Sequence, residues 1–145
     1  MTVASPTLFL DTAFVYALVN IRDEWHDRAV GWQVRLTAES RPLLTTQFVL
    51  MEIGDGLAAL RFRTQAAQII LTLSSSALVE VVPASPTLVA ESLTLYRARS
   101  DKDWGMTDCS SFVVMRERGL SEALTMDAHF QQAGFHPLLL ESHEP

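Results

Sequence analysis

Cysteine and lysine are nearly absent from this chain of 145 residues, which has one of each, Cys109 and Lys102. A single cysteine cannot form a disulfide within the chain, so the small disulfide-stapled folds are excluded. The N-terminus has no basic stretch followed by a long apolar run, and no apolar run approaches the roughly 20 residues of a membrane span. We therefore expect a cytoplasmic protein without membrane association, with one domain over residues 1–145 and a polar tail from about residue 141.

Positive charge is also scarce, because 11 lysines and arginines stand against 17 acidic residues, for a formal net charge of −6. This balance argues against a generic nucleic-acid coat protein, which is normally basic. It does not exclude a nucleic-acid enzyme whose acidic residues are concentrated in a metal site. The sequence has no glycine-rich phosphate loop either, which argues against a nucleoside triphosphatase. The hydrophobic share of 48% excludes a disordered chain.

Short apolar runs that are typical of strands alternate with longer segments of helical periodicity. We predict strands at 7–10, 43–45, 78–82, 122–125 and 135–140. We predict helices at 12–20, 24–39, 47–61, 64–74, 87–99 and 129–133, and a further helix that Thr107 caps and that runs to Arg118. The alternation predicts an α/β fold built from βαβ units around a mostly parallel sheet.

Two acidic residues follow predicted strands. Asp11 comes directly after the first strand, and Asp127 comes after the strand at 122–125. In open parallel sheets the ligand crevice lies outside the carboxyl ends of the strands, so both carboxylates are predicted to point to the same edge. Each could equally serve only as the N-cap of the helix behind it, since aspartate is a favoured cap.

Two further acids lie within or beside predicted helices. Glu52 is in the middle of a helix that is apolar nearly all round, and a partly buried carboxylate needs a partner or a metal. The alternatives are an ion pair with Arg61 or Arg63, or access to solvent. Asp108 lies in the first turn of its helix, where the helix dipole favours an ionised carboxylate, as a metal ligand or simply as a stabilising charge. Asp103, in the preceding loop, could support the site or be a solvated charge.

Four carboxylates at one edge would repel each other strongly without a counter-ion. Oxygen ligands without an accompanying set of histidines and cysteines select Mg²⁺ or Mn²⁺ over Zn²⁺. The histidines show no spacing of zinc type, and we interpret them as packing, surface or supporting residues. They are His26, His129, His136 and His143. An acidic Mg²⁺ site is best suited to phosphodiester hydrolysis, in which the ion activates a water and neutralises charge on the phosphate.

The acids stand in a distinctive order of short motifs. These are Leu10-Asp11-Thr12, then Met51-Glu52, then Trp104-Gly105-Met106-Thr107-Asp108-Cys109-Ser110-Ser111-Phe112-Val113-Val114-Met115, then Ala123-Leu124-Thr125-Met126-Asp127-Ala128-His129-Phe130, and finally Ala133-Gly134-Phe135. In this order they resemble the PIN-domain ribonucleases, and more narrowly the VapC toxins of type II toxin–antitoxin systems. The resemblance covers nearly the whole chain and is most specific from Asp103 to Phe135.

The resemblance implies a three-layer α/β/α domain with a central parallel sheet and Mg²⁺-dependent endoribonuclease activity, with Mn²⁺ able to substitute. It also implies a homodimer that an antitoxin protein neutralises. On this basis Asp11 and Asp108 are expected to bind the metal directly. Glu52 and Asp127 would complete the shell or orient the attacking water. Thr12 and Thr107, each beside an acid, are expected to support the site with a hydroxyl.

Basic residues flank the expected site in sequence and are candidates for contact with RNA phosphates. They are Arg61, Arg63, Arg97, Arg99 and Lys102. The alternative is that they only cover helix ends.

Two other classes with an acid after the first strand are disfavoured by single residues. A phosphohydrolase of the haloacid-dehalogenase type needs a second aspartate two positions after the first, where this chain has Ala13. A receiver-like signalling module needs a lysine at the end of its last strand, a place that Lys102 cannot fill. A PIN-fold RNA-processing nuclease without a toxin role remains open as an alternative.

Overall fold

The computed structural model describes residues 6–141, in which five strands form one sheet. The strands are β1 (Leu8–Leu10), β2 (Leu43–Thr46), β3 (Val79–Val82), β4 (Glu122–Leu124) and β5 (His136–Pro137). The helices are α1 (Thr12–Val19), α2 (His26–Glu39), α3 (Gln47–Gly56), α4 (Leu60–Ser75), α5 (Pro86–Ala98), α6 (Met106–Arg118), α7 (Ala128–Gln132) and α8 (Leu138–Glu141). The predicted tail after about residue 141, with His143, lies outside the described residues.

The sheet has the order β3-β2-β1-β4-β5, and all of its pairings are parallel. The chain crosses the sheet from β1 through β2 to β3 and then returns past β1 to reach β4. Because crossovers between parallel strands are right-handed, the helices before and after β3 cover opposite faces. The predicted α/β fold is confirmed, with a sheet that is wholly parallel.

Strand β1 is the centre of the sheet, and its three residues Leu8, Phe9 and Leu10 are buried. A continuous apolar run is what a parallel strand needs when helices cover both of its faces. Neighbouring strands β2 and β4 are reached by crossovers in opposite directions, so the strand order reverses beside β1. Ligands bind at such a switch point, outside the carboxyl ends of the strands. In this fold that place lies where β1 ends at Asp11 and β4 approaches Asp127.

The single helix predicted over 47–61 is wrong, because α3 ends at Gly56 and α4 begins at Leu60. Gly54 and Gly56 weaken the helix locally, since each costs about 1 kcal/mol relative to alanine. The break puts Arg61 and Arg63 on the first turn of α4. Glu52 therefore stays near the middle of its helix, but that helix is a short one of 10 residues.

The last strand is shorter than the predicted span of 135–140. Only His136 and Pro137 pair with β4, and the chain continues as helix α8 from Leu138. Proline has no N–H to donate to a sheet, which favours an early end to the strand. Leu139 remains part of the core in its helical position. Within the described residues, no helix is long and apolar enough to cross a membrane.

Candidate metal-binding active site

Asp11 is 4% exposed at the carboxyl end of β1. It occupies the N-cap position of α1, yet its side chain makes no capping hydrogen bond. Its Oδ2 instead accepts a hydrogen bond of 2.7 Å from the hydroxyl of Thr125. Burial raises the pKa of Asp11 to about 7, and the charges of Asp108 and Asp127 add to the rise against the opposing effect of the Thr125 hydrogen bond. The interpretation of Asp11 as a mere helix cap is therefore wrong.

Asp127 lies just beyond the end of β4 and does cap a helix. Its Oδ1 accepts a hydrogen bond of 2.8 Å from the backbone N–H of His129, in the first turn of α7. Its own N–H donates to the hydroxyl oxygen of Thr125 at 3.1 Å. Thr125 is fully buried. One hydroxyl thus connects the loops that carry Asp11 and Asp127.

Asp108 lies in the first turn of α6, and its carboxylate faces inward. Oδ2 accepts a hydrogen bond of 3.2 Å from the N–H of Gly105 and lies 3.0 Å from Nδ1 of His129. Burial raises the pKa of Asp108, with a contribution from Asp127, while the Gly105 and His129 contacts lower it. The predicted cap Thr107 is wrong. Gly105 is the N-cap, because the bond from its N–H to Asp108 closes the first turn.

A cluster of possible metal ligands is formed by Asp108, Asp127 and His129, whose ligand atoms lie within 4.8 Å of one another. His129 was interpreted from sequence as a capping, packing or supporting residue. Its place two residues after Asp127, at the start of a short helix, is the sequence signal that the two side chains share one end of α7. Asp11 lies outside this cluster but is joined to Asp127 through Thr125.

Glu52 is half-buried and also lies outside the cluster of Asp108, Asp127 and His129. Between residues 6 and 141 it forms no ion pair with Arg61 or Arg63, so that predicted alternative is wrong. Arg63 instead donates to the carbonyl of Ala58. The backbone carbonyl of Glu52 accepts a hydrogen bond of 2.7 Å from the hydroxyl of Tyr16 on α1.

The remaining predicted residues are more peripheral. Asp103 is exposed in the loop before α6. Arg99 binds Asp101 through two hydrogen bonds of 3.0 and 3.1 Å, and the amine of Lys102 is 3.8 Å from the same carboxylate. Arg61 and Arg97 are exposed. Asp101 thus offsets part of the positive charge that was predicted to face RNA, whereas the charges on α4 and at the end of α5 remain available.

The carboxylate oxygens of this site suit a hard divalent cation. Within the described part of the chain, no lysine or arginine forms an ion pair with Asp11, Asp108 or Asp127, and their basic neighbour is His129, whose Nδ1 lies 3.0 Å from Asp108 and 3.5 Å from Asp127. Carboxylate oxygens are the ligands that Mg²⁺ and Mn²⁺ prefer. Beside Asp11, the buried hydroxyl of Thr12 has no hydrogen-bond partner in the described structure. A buried orphan of this kind is normally satisfied by water or ligand.

The sequence from residue 8 to residue 136 matches the family model of the PIN domain. This protein belongs to the PIN domain family. The predicted family is confirmed, and the match spans the strands and helices that carry all four of the predicted acids.

Among PIN-domain proteins, the chain is 30% identical over 129 residues to the 23S rRNA-specific endonuclease VapC20 of Mycobacterium tuberculosis, in strains CDC 1551 / Oshkosh and ATCC 25618 / H37Rv. The alignment covers 88% of this chain and 95% of VapC20. The crystal structure of VapC20, described as a sarcin–ricin loop cleaving toxin, superposes with a TM-score of 0.76 at 29% identity, over 90% of this chain and 98% of that one. This chain is a homologue of the VapC20 endonuclease, which confirms the predicted enzyme class.

A second structural comparison bears on the fold alone. The crystal structure of FitAcB from Neisseria gonorrhoeae superposes with a TM-score of 0.62 at 19% identity, over 90% of this chain and 98% of that chain. The arrangement of helices around the parallel sheet is therefore shared well beyond recognisable sequence similarity.

Proposed function

We propose that this PIN-domain protein is a metal-dependent endoribonuclease whose substrate is structured ribosomal RNA. The observation that best supports this proposal is that Asp11, Asp108 and Asp127 lie near one another at the switch point of the sheet. Burial of Asp11, together with the charges of the other two acids, raises its pKa to about 7. These three carboxylates would hold Mg²⁺, with Mn²⁺ able to replace it. The substrate class is supported by the homology to VapC20, an rRNA-specific endonuclease.

The division of labour among the side chains follows from their contacts. When bound, the divalent ion activates a water and neutralises charge on the scissile phosphate. Thr125 fixes Asp11 by donating a hydrogen bond to its Oδ2, which leaves Oδ1 free of that bond. The contacts of Asp108 with Gly105 and His129 set the direction of its carboxylate. Glu52, on helix α3 next to α1, would complete the set of acids that hold the metal ion.

We further propose that the protein acts in the cytoplasm as the toxin of a toxin–antitoxin pair, as a homodimer that an antitoxin protein neutralises. The support is the VapC-type homology over 88% of the chain. Exposed Arg61, Arg63 and Arg97 would contact RNA phosphates, which position the substrate without reading its sequence.

The nuclease proposal is tested by incubating the purified protein with 23S rRNA and with a hairpin oligonucleotide of the sarcin–ricin loop, in Mg²⁺ or Mn²⁺. A hairpin of the same length with a scrambled loop serves as the substrate control. Cleavage should need the metal and should be lost in the Asp108→Asn protein. Equal cleavage in chelator, or by Asp108→Asn, would show that these acids are not the site.

The toxin proposal needs a separate experiment in cells. Induced expression of the wild-type chain should arrest growth, whereas Asp108→Asn should not. A small open reading frame beside the gene is expected to encode the antitoxin, and its co-expression should relieve the arrest. Normal growth on expression of an active, soluble nuclease would contradict the toxin role while leaving the enzymatic proposal intact.

Thr125→Val should weaken both metal binding and cleavage by about 10- to 100-fold, because its hydroxyl supports two of the acids at once. Valine has nearly the same shape but leaves Asp11 without its donor and the N–H of Asp127 without its acceptor. Isothermal titration with Mn²⁺ and initial cleavage rates measure the two losses. Thr125→Ser keeps the hydroxyl and should recover most of both, and a Thr125→Val protein as active as Thr125→Ser would disprove the role.

A further inference from the structure

Tyr16 joins two segments that are far apart in the sequence. It lies on α1, which starts directly after Asp11, and its hydroxyl donates a hydrogen bond of 2.7 Å to the carbonyl of Glu52. That carbonyl lies about one turn before the end of α3. The bond therefore connects the helix that follows one predicted acid to the helix that carries another, across 36 positions of the chain.

Gly56 indicates how closely the two helices pack at this bond. A Cβ atom built at Gly56 would overlap the hydroxyl oxygen and the Cζ atom of Tyr16. Any other residue would therefore displace either the tyrosine ring or the end of α3. The glycine lets the ring lie directly against the α3 backbone, one turn beyond Glu52.

Burial and the charges of nearby acids affect the pKa of the Tyr16 hydroxyl. Burial raises the pKa of Tyr16 to about 12, and the charges of Glu52, Asp11 and Asp55 add to the rise. At neutral pH the hydroxyl therefore stays protonated and acts as a donor. Within the described residues, the Glu52 carboxylate has no hydrogen bond or ion pair, and the bond from Tyr16 to its backbone carbonyl joins this part of α3 to α1.

We propose that Tyr16 is a positioning residue of the nuclease site, which sets the distance between Glu52 and Asp11 through its hydrogen bond to the α3 backbone. Gly56 is also part of this arrangement, because the absence of a side chain there leaves space for the Tyr16 ring. The inference rests on the proposed function only in that Glu52 and Asp11 are taken to serve the same metal ion.

The decisive test is a double-mutant cycle on metal binding, measured without RNA from the electron paramagnetic resonance signal of free Mn²⁺. Tyr16→Phe keeps the ring and removes only the hydroxyl, and the Mn²⁺ dissociation constant should rise about tenfold. Glu52→Gln should raise it by at least as much. Because Tyr16 acts through Glu52, the double variant should be no weaker than Glu52→Gln alone.

Cleavage kinetics give the second measurement on the same proteins. Tyr16→Phe should lower kcat about tenfold and leave KM for RNA unchanged, since Tyr16 is proposed to act on the metal-binding acids and not on RNA. Tyr96→Phe, the matched control, removes the hydroxyl of the only other tyrosine, which is 47% exposed on α5, and should change neither constant. Unchanged Mn²⁺ binding in Tyr16→Phe, or multiplicative losses in the double variant, would overturn the proposal.

Gly56→Ala provides an independent variant that retains the hydroxyl. Alanine favours helix formation over glycine, so a loss cannot come from a weaker α3. We expect weaker Mn²⁺ binding because the methyl group pushes Tyr16 away from α3, and wild-type affinity in Gly56→Ala would overturn the proposal. If the wild type does not cleave RNA, that result contradicts the proposed function. It leaves the test of Tyr16 intact, because the Mn²⁺ double-mutant cycle needs no RNA.

Discussion

Asp11→Asn should abolish RNA cleavage and, in the metal-free protein at pH 8, raise the melting temperature. Loss of activity by a factor of about 10³ or more is expected, because the variant removes a charged ligand from the proposed metal site. The gain in stability has a separate cause. Asp11 is buried among other acids, and asparagine keeps its shape and can still accept the hydrogen bond from Thr125.

The direction of the stability change follows from the pKa of Asp11. Its value rises from 3.8 to about 7 on folding, so the folded state holds the proton more tightly than the unfolded chain. As the pH rises from about 4 to about 7, the contribution of Asp11 to the unfolding free energy of the metal-free protein falls, by at most about 4 kcal/mol. Asp11→Asn removes this loss, and the two proteins should therefore be equally stable near pH 4 and differ most above pH 7.

Thermal unfolding in EDTA between pH 4 and pH 8 measures this difference. Glu24→Gln neutralises an exposed carboxylate and should follow the wild-type profile. Adding Mn²⁺ at pH 8 should stabilise the wild type, because metal binding requires the deprotonated carboxylate, and it should have little effect on Asp11→Asn. A wild-type profile that does not fall with pH relative to Asp11→Asn would contradict the burial of an uncompensated charge at this position.

The sheet and two of its acids could be predicted because their signals are local. A fully buried parallel strand needs a continuous apolar run, and the charge that ends such a run lies at the sheet edge. Asp11 after β1 and Asp127 after β4 follow this rule. The ends of α3 and of the last strand were predicted wrongly because propensity is weak there. Tyr16 packs against Gly56 at the end of α3, and Leu139 is buried in α8, and neither tertiary contact is visible in the local sequence.

The supporting residues of the site could not be predicted from local patterns. Thr125 contacts Asp11 across 114 positions, and Tyr16 contacts Glu52 across 36. His129 is 21 positions from Asp108. Nothing in the neighbourhood of a threonine, tyrosine or histidine in the sequence distinguishes these contacts from ordinary packing. The place of the four acids in the chain and the family resemblance predict them as candidates. The structure brings Asp108 and Asp127 together directly and joins Asp11 to Asp127 through Thr125.

Phe112→Ala should be the most destabilising single substitution near the site, by about 3–5 kcal/mol. Phe112 is fully buried on α6, one turn after Asp108. Its ring meets those of Trp104 and Phe130 edge-on, each with centroids 5.0 Å apart, and that of Phe135 at 5.7 Å. The cavity would loosen the packing between α6 and α7, whose N-terminal ends carry Asp108 and Asp127, so Mn²⁺ binding should weaken as well.

Urea unfolding and thermal melts give the loss in stability, and a fall in melting temperature of about 10 °C is expected. Phe112→Leu retains most of the volume and should lose much less stability, while Leu71→Ala, at a position 63% exposed on α4, should lose little. Because Phe112 touches no ligand, its effect on Mn²⁺ must act through the relative position of α6 and α7. A Phe112→Ala protein with wild-type Mn²⁺ affinity well below its melting temperature would show that the loops alone, held by Thr125 and His129, fix the acids.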